Sequence, residues 1–131
     1  EGQKQFGLRQ ATCIAELHVV RLQSLAVLVP IHRQQSPFPG TSRDFNLIIN
    51  EEVRWADIES TVRLAGGKLL ESIKYLETFR DERKDGTGKK RVLLSVTLRS
   101  PDETLTGDKV ELISQQIIQQ CRQRHQAVLL A

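Results

Sequence analysis

Lys89–Asp108 reads KKRVLLSVTLRSPDETLTGD, and three structural decisions are written into it. A basic turn runs into a strand whose Val92, Leu94, Val96 and Leu98 form one face, while Arg91, Leu93, Ser95, Thr97 and Arg99 form the other. Pro101-Asp102 then breaks the strand. A helix begins near Thr106–Asp108, with Thr106 as N-cap and Asp108 beside the helix's positive end. Its buried stripe is Val110, Ile113, Ile117 and Cys121, joined by Ile118.

Upstream of this stretch the same logic repeats. From Ser42, Phe45, Leu47 and Ile49 point one way while Asp44, Asn46, Ile48 and Asn50 point the other, which describes a half-buried strand. Trp55, Ile58, Val62 and Ala65 recur at helical spacing, Glu59 and Arg63 can pair across one turn, and Gly66-Gly67 ends the helix. Leu69–Phe79 returns as a strand whose alternation slips at Tyr75-Leu76, where a bulge would restore the inward face. Asp81–Gly88 supplies the tight reversal through Asp85-Gly86 and Gly88, and Ala127–Leu130 is a short last strand. The order is β-α-β-β-α-β. Two striped helices cover one face of a four-stranded antiparallel sheet, giving a ferredoxin-like α+β sandwich with its other face open.

Residues 1–35 do not start a self-contained domain. Thr12–Val20 alternates loosely and reads as a strand, Leu22–Pro30 is a second apolar run, and neither has an obvious partner. His32–Gly40, polar and proline-rich, is the best boundary. Without an initiator Met or a leader pattern, the 131 residues read as cut from something longer. No apolar run approaches the ~18 residues of a membrane span. Two cysteines far apart, Cys13 and Cys121, suit reduced thiols in a cytoplasmic protein.

The net charge is +3, and its location is informative. Between Arg80 and Arg91 six basic residues face three acidic ones, while the remaining 13 basic and 13 acidic residues cancel. A surplus confined to one hairpin tip is either a solvated loop or a phosphate-binding patch. Gly86-Thr87-Gly88-Lys89-Lys90 fails as a phosphate loop, since Arg83 and Lys90 stand where glycine and Ser or Thr are needed and a strand follows. Cys121 and His125 have metal-compatible spacing, but only Cys13 and His18 could supply a second pair; a buried thiol and a surface histidine is the plainer reading. Glu51-Glu52 and Asp102-Glu103 read as solvated or helix-start carboxylates, and no nucleophile arrangement has local support. Catalysis by this chain alone is not expected. The open sheet face remains, and with Phe45 assigned to the core it offers hydrogen bonds, shape and a basic edge rather than an aromatic platform.

Phe38-Pro39 followed by Arg43-Asp44 and FNLII, Leu70–Ile73, Gly88–Lys90, and above all Leu98–Asp102 with Thr104–Thr106 form an ordered motif set. As a set it resembles the ferredoxin-fold anticodon-binding domain at the C-terminus of bacterial phenylalanyl-tRNA synthetase β subunits, over residues 36–131. Phe6–Leu8 and Ala15–Leu17 are similar to the tail of the synthetase-like domain that precedes it in that family, which assigns residues 1–35 to that tail and a linker. There are departures. Glu103 stands where the family has a basic residue, and Gly107-Asp108-Lys109 replaces an acidic helix start, so Thr106 lacks its reciprocal capping partner. Leu76, Glu77 and Phe79 are a milder variation on the second strand's aromatic and acidic pattern.

The resemblance implies recognition of the anticodon region of phenylalanine tRNA. The implied parent is an α2β2 phenylalanine-tRNA ligase using ATP and magnesium, with the chemistry on the α subunit and no cofactor in this fragment. Neither a membrane nor DNA is an expected partner. Strand alternation and charge nominate Arg43, Asn46, Arg91, Ser95, Thr97 and Arg99 on or beside the open face, with Lys89 and Lys90 as phosphate contacts. The competing reading is a structural or regulatory ferredoxin-like domain that senses a small amino acid or docks other subunits. A glycine-rich turn before the first helix would mark it, and Asn50–Trp55 has no glycine.

Overall fold

The computed structural model describes residues 5–7, 9, 12–29 and 36–130. The chain divides into two compact units, Glu1–Gln34 and Gln35–Ala131.

In the first unit, the strand expected over Thr12–Val20 does not form. Val19–Leu25 is instead a short helix, α1, with His18 as N-cap, whose imidazole accepts from Arg21 N. The physical reason is local: with no described partner strand, the helix satisfies its own backbone, as in the Leu22 N to His18 O bond of 3.1 Å. The Pro30 end of the second apolar run lies outside the described residues.

The second unit follows the expected order. Its elements are β1 (Thr41–Asn50), α2 (Trp55–Gly66), a 3₁₀ turn (Gly67–Leu69), β2 (Leu70–Phe79), α3 (Glu82–Asp85), β3 (Lys89–Leu98), α4 (Gly107–His125) and β4 (Val128–Leu129). The sheet is antiparallel throughout, in the order β2-β3-β1-β4. β3 and β1 are therefore central, and the stretch around Val92–Leu98 borders both neighbours.

The core lies between the sheet and the α2–α4 layer. Phe45, Leu47 and Ile49 from β1, Val92, Leu94, Val96 and Leu98 from β3, Ile58 and Val62 from α2, and Val110, Ile113, Ile117 and Cys121 from α4 are buried together. At roughly 1.5–3 kcal/mol per fully buried large apolar side chain, this cluster is the main stabilising term. Glu59 and Arg63 pair on α2 at 2.6 Å, and Thr106 caps α4 by accepting from Lys109 N at 3.4 Å. Lys109, which stands where the reciprocal capping residue would be, instead pairs with Glu103. No described helix is long and apolar enough to cross a membrane.

Three features differ from the sequence expectation. The Asp81–Gly88 reversal contains one helical turn, α3, because Asp81 accepts from Arg83 N and Lys84 N and so caps it. The bulge at Tyr75-Leu76 is present, and a second falls at Glu71, between the registered residues Leu70 and Ser72. His125 is half-buried rather than a surface residue, because its Nε2 lies 2.8 Å from the buried Thr61 Oγ1.

Candidate nucleic-acid interface

Register fixes which side chains share the open face. Ser42, Asp44, Asn46 and Ile48 of β1 lie opposite Thr97, Ser95, Leu93 and Arg91 of β3. On the other side of β3, the Leu76 bulge shifts the phase of β2. Tyr75 pairs with buried Leu94 on the helix side, where its ring meets Trp55 edge-on at 5.4 Å. Beyond the extra residue, Glu77 pairs with Leu93 and Phe79 with Arg91, so both turn to the open face. Phe79 is 51% exposed there. The open face thus carries an aromatic ring that simple alternation did not assign to it.

Arg91 crosses this ring. Its guanidinium carbon stands 5.8 Å from the Phe79 centroid, and two parallel bonds of 2.7 Å tie its Nε and Nη2 to the Asp85 carboxylate. Hydrogen bonding to Asp85 raises the Arg91 pKa above its ordinary value, so the guanidinium is permanently charged and already paired. Asn46, Glu77, Phe79, Arg91 and Leu93 together line a cavity of about 190 Å³. Within it Asn46 Oδ1 is buried and accepts no hydrogen bond from any described residue. The cavity combines an aromatic wall, an apolar floor and acceptor oxygens from Asn46 and Glu77.

The other nominated residues fall into distinct places. Ser95 and Thr97 lie on the open face, where Thr97 Oγ1 is 3.1 Å from Ser42 Oγ. Lys89 is exposed at the start of β3 in the same phase. Lys90 is in the opposite phase, opposite Ile49, and its side chain is only 14% exposed. Its Nζ donates to Glu51 O at 2.6 Å, which removes it from the free cations. Arg43 pairs with Val96 and so belongs to the helix-side phase, though it is exposed near the start of β1. Arg99 is a clamp: Nη1 donates to Phe38 O at 2.5 Å, and Nε sits 2.9 Å from Glu71 Oε1. Gly40 leaves the room this clamp needs, since a Cβ there would stand 3.1 Å from Arg99 Nη2.

The basic hairpin tip is accordingly less positive than its composition. Arg80 forms a bidentate pair with Glu51, whose carboxyl is held below its ordinary pKa chiefly by that bond. Lys90 and Arg91 are engaged as described, leaving Arg83 and Lys89 as its exposed cations without a described ion pair and Lys84 only loosely paired to Asp81 at 3.9 Å. Lys74, exposed and opposite Ser95, adds a cation that the sequence reading passed over. The slip at Tyr75-Leu76 was the available signal for Phe79 and Glu77, because one extra residue reverses every later assignment on that strand. Among the described residues no group of three or more His, Cys, Asp or Glu side chains could hold a metal ion. Cys13 is exposed, and Cys121 is buried with its thiol pKa pushed up to about 11 by desolvation.

Two helices on one side of a four-stranded antiparallel sheet, with a polar, cavity-bearing sheet face on the other, define a two-layer ferredoxin-like α+β domain. The chain belongs to the ferredoxin-fold anticodon binding domain family, which matches residues 36–130. It is similar to the phenylalanine–tRNA ligase beta subunit of Rhodopirellula baltica, 39% identical over 127 residues, covering 97% of this chain and 19% of that protein. The protein of that name from Shouchella clausii is 30% identical over 129 residues, with 98% and 16% covered. That from Clostridium tetani is 34% identical over 113 residues, with 86% and 14% covered. The chain therefore spans less than a fifth of the length of these relatives.

Proposed function

We propose that residues 36–130 bind the anticodon region of a phenylalanine tRNA through the open sheet face. The observation that carries this reading is the Phe79–Arg91 cavity at the hairpin end of that face, beside exposed Lys89. Its chemistry suits a nucleobase better than a phosphate. An aromatic ring stacks on any base, and Asn46 and Glu77 accept from ring N–H and exocyclic amino groups. The Glu77 carboxylate repels phosphate, and the Arg91 charge is already matched by Asp85. Backbone phosphates would instead meet Lys89 and Lys74, with Ser95 and Thr97 hydrogen-bonding along the strand and Arg43 flanking it. Lys90 and Arg99 would contribute by holding the frame.

In this reading the chain is the C-terminal part of a cytoplasmic ligase β subunit that works with an α subunit in an α2β2 assembly. Ligation, with its ATP and magnesium, would take place away from this domain, which holds the far end of the tRNA. Residues 1–35 would be the tail of a preceding synthetase-like domain. The exposed apolar side chains Ile14, Leu17, Val20 and Val27 suit a segment that the rest of such a subunit covers.

Fluorescence titration of the chain with phenylalanine tRNA, and with a tRNA of different anticodon, at two salt concentrations tests the reading. Salt-sensitive binding that favours the first RNA is expected. If neither the chain nor a β subunit containing it binds at low salt, the reading is wrong.

A further inference from the structure

Asp85 is the most buried partner in any ion pair of the second unit, with a side chain 2% exposed, yet it sits at the tip of a solvent-facing hairpin. The local sequence delivers it there. Asp81 caps the four-residue α3, Asp85 is its last residue, and Gly86 and Gly88, at φ 92° and 75°, turn the chain into β3. The carboxylate then faces the Arg91 guanidinium with both bonds at 2.7 Å. Such a fork-to-fork pair fixes the plane of the guanidinium as well as its position. Arg91 is one wall of the base-sized cavity and Phe79 is the next.

We propose that Asp85 is a positioning residue for this cavity: by locking Arg91 across Phe79 it keeps a nucleobase pocket assembled before RNA arrives. The proposal rests on the nucleic-acid reading given above. An arginine free to sample its rotamers would have to be ordered on binding, which lowers affinity; here the Asp85 pair already holds the guanidinium. The side chain of Arg91 is only 18% exposed, and its charge is matched by a partner that solvent hardly reaches. It therefore acts on RNA through its plane, in contrast to Lys89, which acts through its charge.

The test uses the 131-residue chain, an anticodon stem-loop RNA, and copies of that RNA carrying one abasic site at each loop position in turn. The natural chain should lose roughly tenfold in affinity at the one position whose base enters the pocket, the scale of a single base–aromatic stack. Asp85→Asn should bind the intact loop about as weakly as the natural chain binds that abasic copy, and should no longer distinguish the two RNAs. Binding to the abasic copy itself should be unchanged or slightly tighter, since the substitution removes a negative charge; a general loss of structure would not produce this. In a Phe79→Leu background, Asp85→Asn should cost no further affinity.

Should Asp85→Asn fail to fold by circular dichroism, Arg91→Lys keeps the charge without the plane and should show the same loss of discrimination. Equal weakening toward intact and abasic RNA, unchanged discrimination in either variant, or a further loss in the Phe79→Leu background would each overturn the proposal. A natural chain that binds none of these RNAs would instead remove the nucleic-acid reading, and the proposal with it.

Discussion

His125 Nε2 and Thr61 Oγ1 stand 2.8 Å apart, joining the last turn of α4 to the middle of α2 across 64 residues of sequence. The Thr61 hydroxyl already donates to Asp57 O at 3.0 Å, so its oxygen is left to accept and His125 Nε2 must carry the proton. Thr61→Val keeps the shape but leaves that N–H without its acceptor between the helices. We expect a loss of about 1–2 kcal/mol in urea unfolding. We also expect the His125 Nε2–H resonance, protected in the natural chain, to exchange rapidly in the variant; a Val variant of natural stability would show the bond to be inert.

Gly66→Ala should destabilise although alanine is the better helix former. The propensity gain is about 1 kcal/mol. Against it, the added Cβ would stand 2.8 Å from Leu70 Cβ, where the chain leaves α2 for β2. Overpacking of this kind costs about 1–3 kcal/mol, so the net sign is unfavourable. Thermal denaturation decides it: a raised midpoint would mean that the α2–β2 corner opens more easily than its packing implies.

The two thiols should react very differently. Exposed Cys13 is expected to take up a thiol reagent at once near neutral pH, and Cys121 only after denaturant is added. Burial raises the Cys121 pKa from 9.0 to about 11. Between those values the unfolded chain has released the proton and the folded chain has kept it, so stability falls as pH rises through that window. Replacing Cys121 with Ala should flatten this alkaline slope while lowering stability at neutral pH through the cavity it leaves. An unchanged slope would assign the alkaline loss to other groups.

Neighbouring lysines should separate charge from structure. Lys89→Ala is expected to weaken binding to all RNAs alike and to reduce the salt slope by about 0.7, the share of one phosphate contact on a single strand. Lys90→Ala should leave the slope unchanged and lower stability by about 0.5–1.5 kcal/mol, because the bond to Glu51 O is lost. Equal effects of the two variants on the salt slope would mean that Lys90 leaves Glu51 when RNA binds.

The architecture was legible because the pattern residues of β1, α2, β3 and α4 are apolar at one regular period each, and burial follows period directly. Phe45, Leu47 and Ile49 needed nothing beyond alternation. The site was less legible for two reasons. Ion pairing is a long-range property: Glu51 collects Arg80 and Lys90, from 29 and 39 residues away, and nothing local in the sequence announces it. Phase on a bulged strand is the other. The slip at Tyr75-Leu76 was visible, but its consequence for Phe79 depends on where the extra residue sits in the register. In the first unit, the strand-like pattern of Thr12–Val20 gave way to α1 at its end, since strand propensity has little force without a neighbouring strand.

The extra residue at Leu76 also changes how variation in β2 should be weighed. A substitution at Leu76 that keeps the bulge alters one side chain, and losing that residue would close the ladder into regular alternation with Glu77 and Phe79 still opposite Leu93 and Arg91. A regular strand of unchanged length would instead carry Glu77 and Phe79 to the helix side and bring Thr78 out in their place. The bulge is thus a heritable character in its own right. Two relatives of equal length with the same aromatic residue, one bulged and one regular, would present different surfaces to RNA, however similar their sequences look.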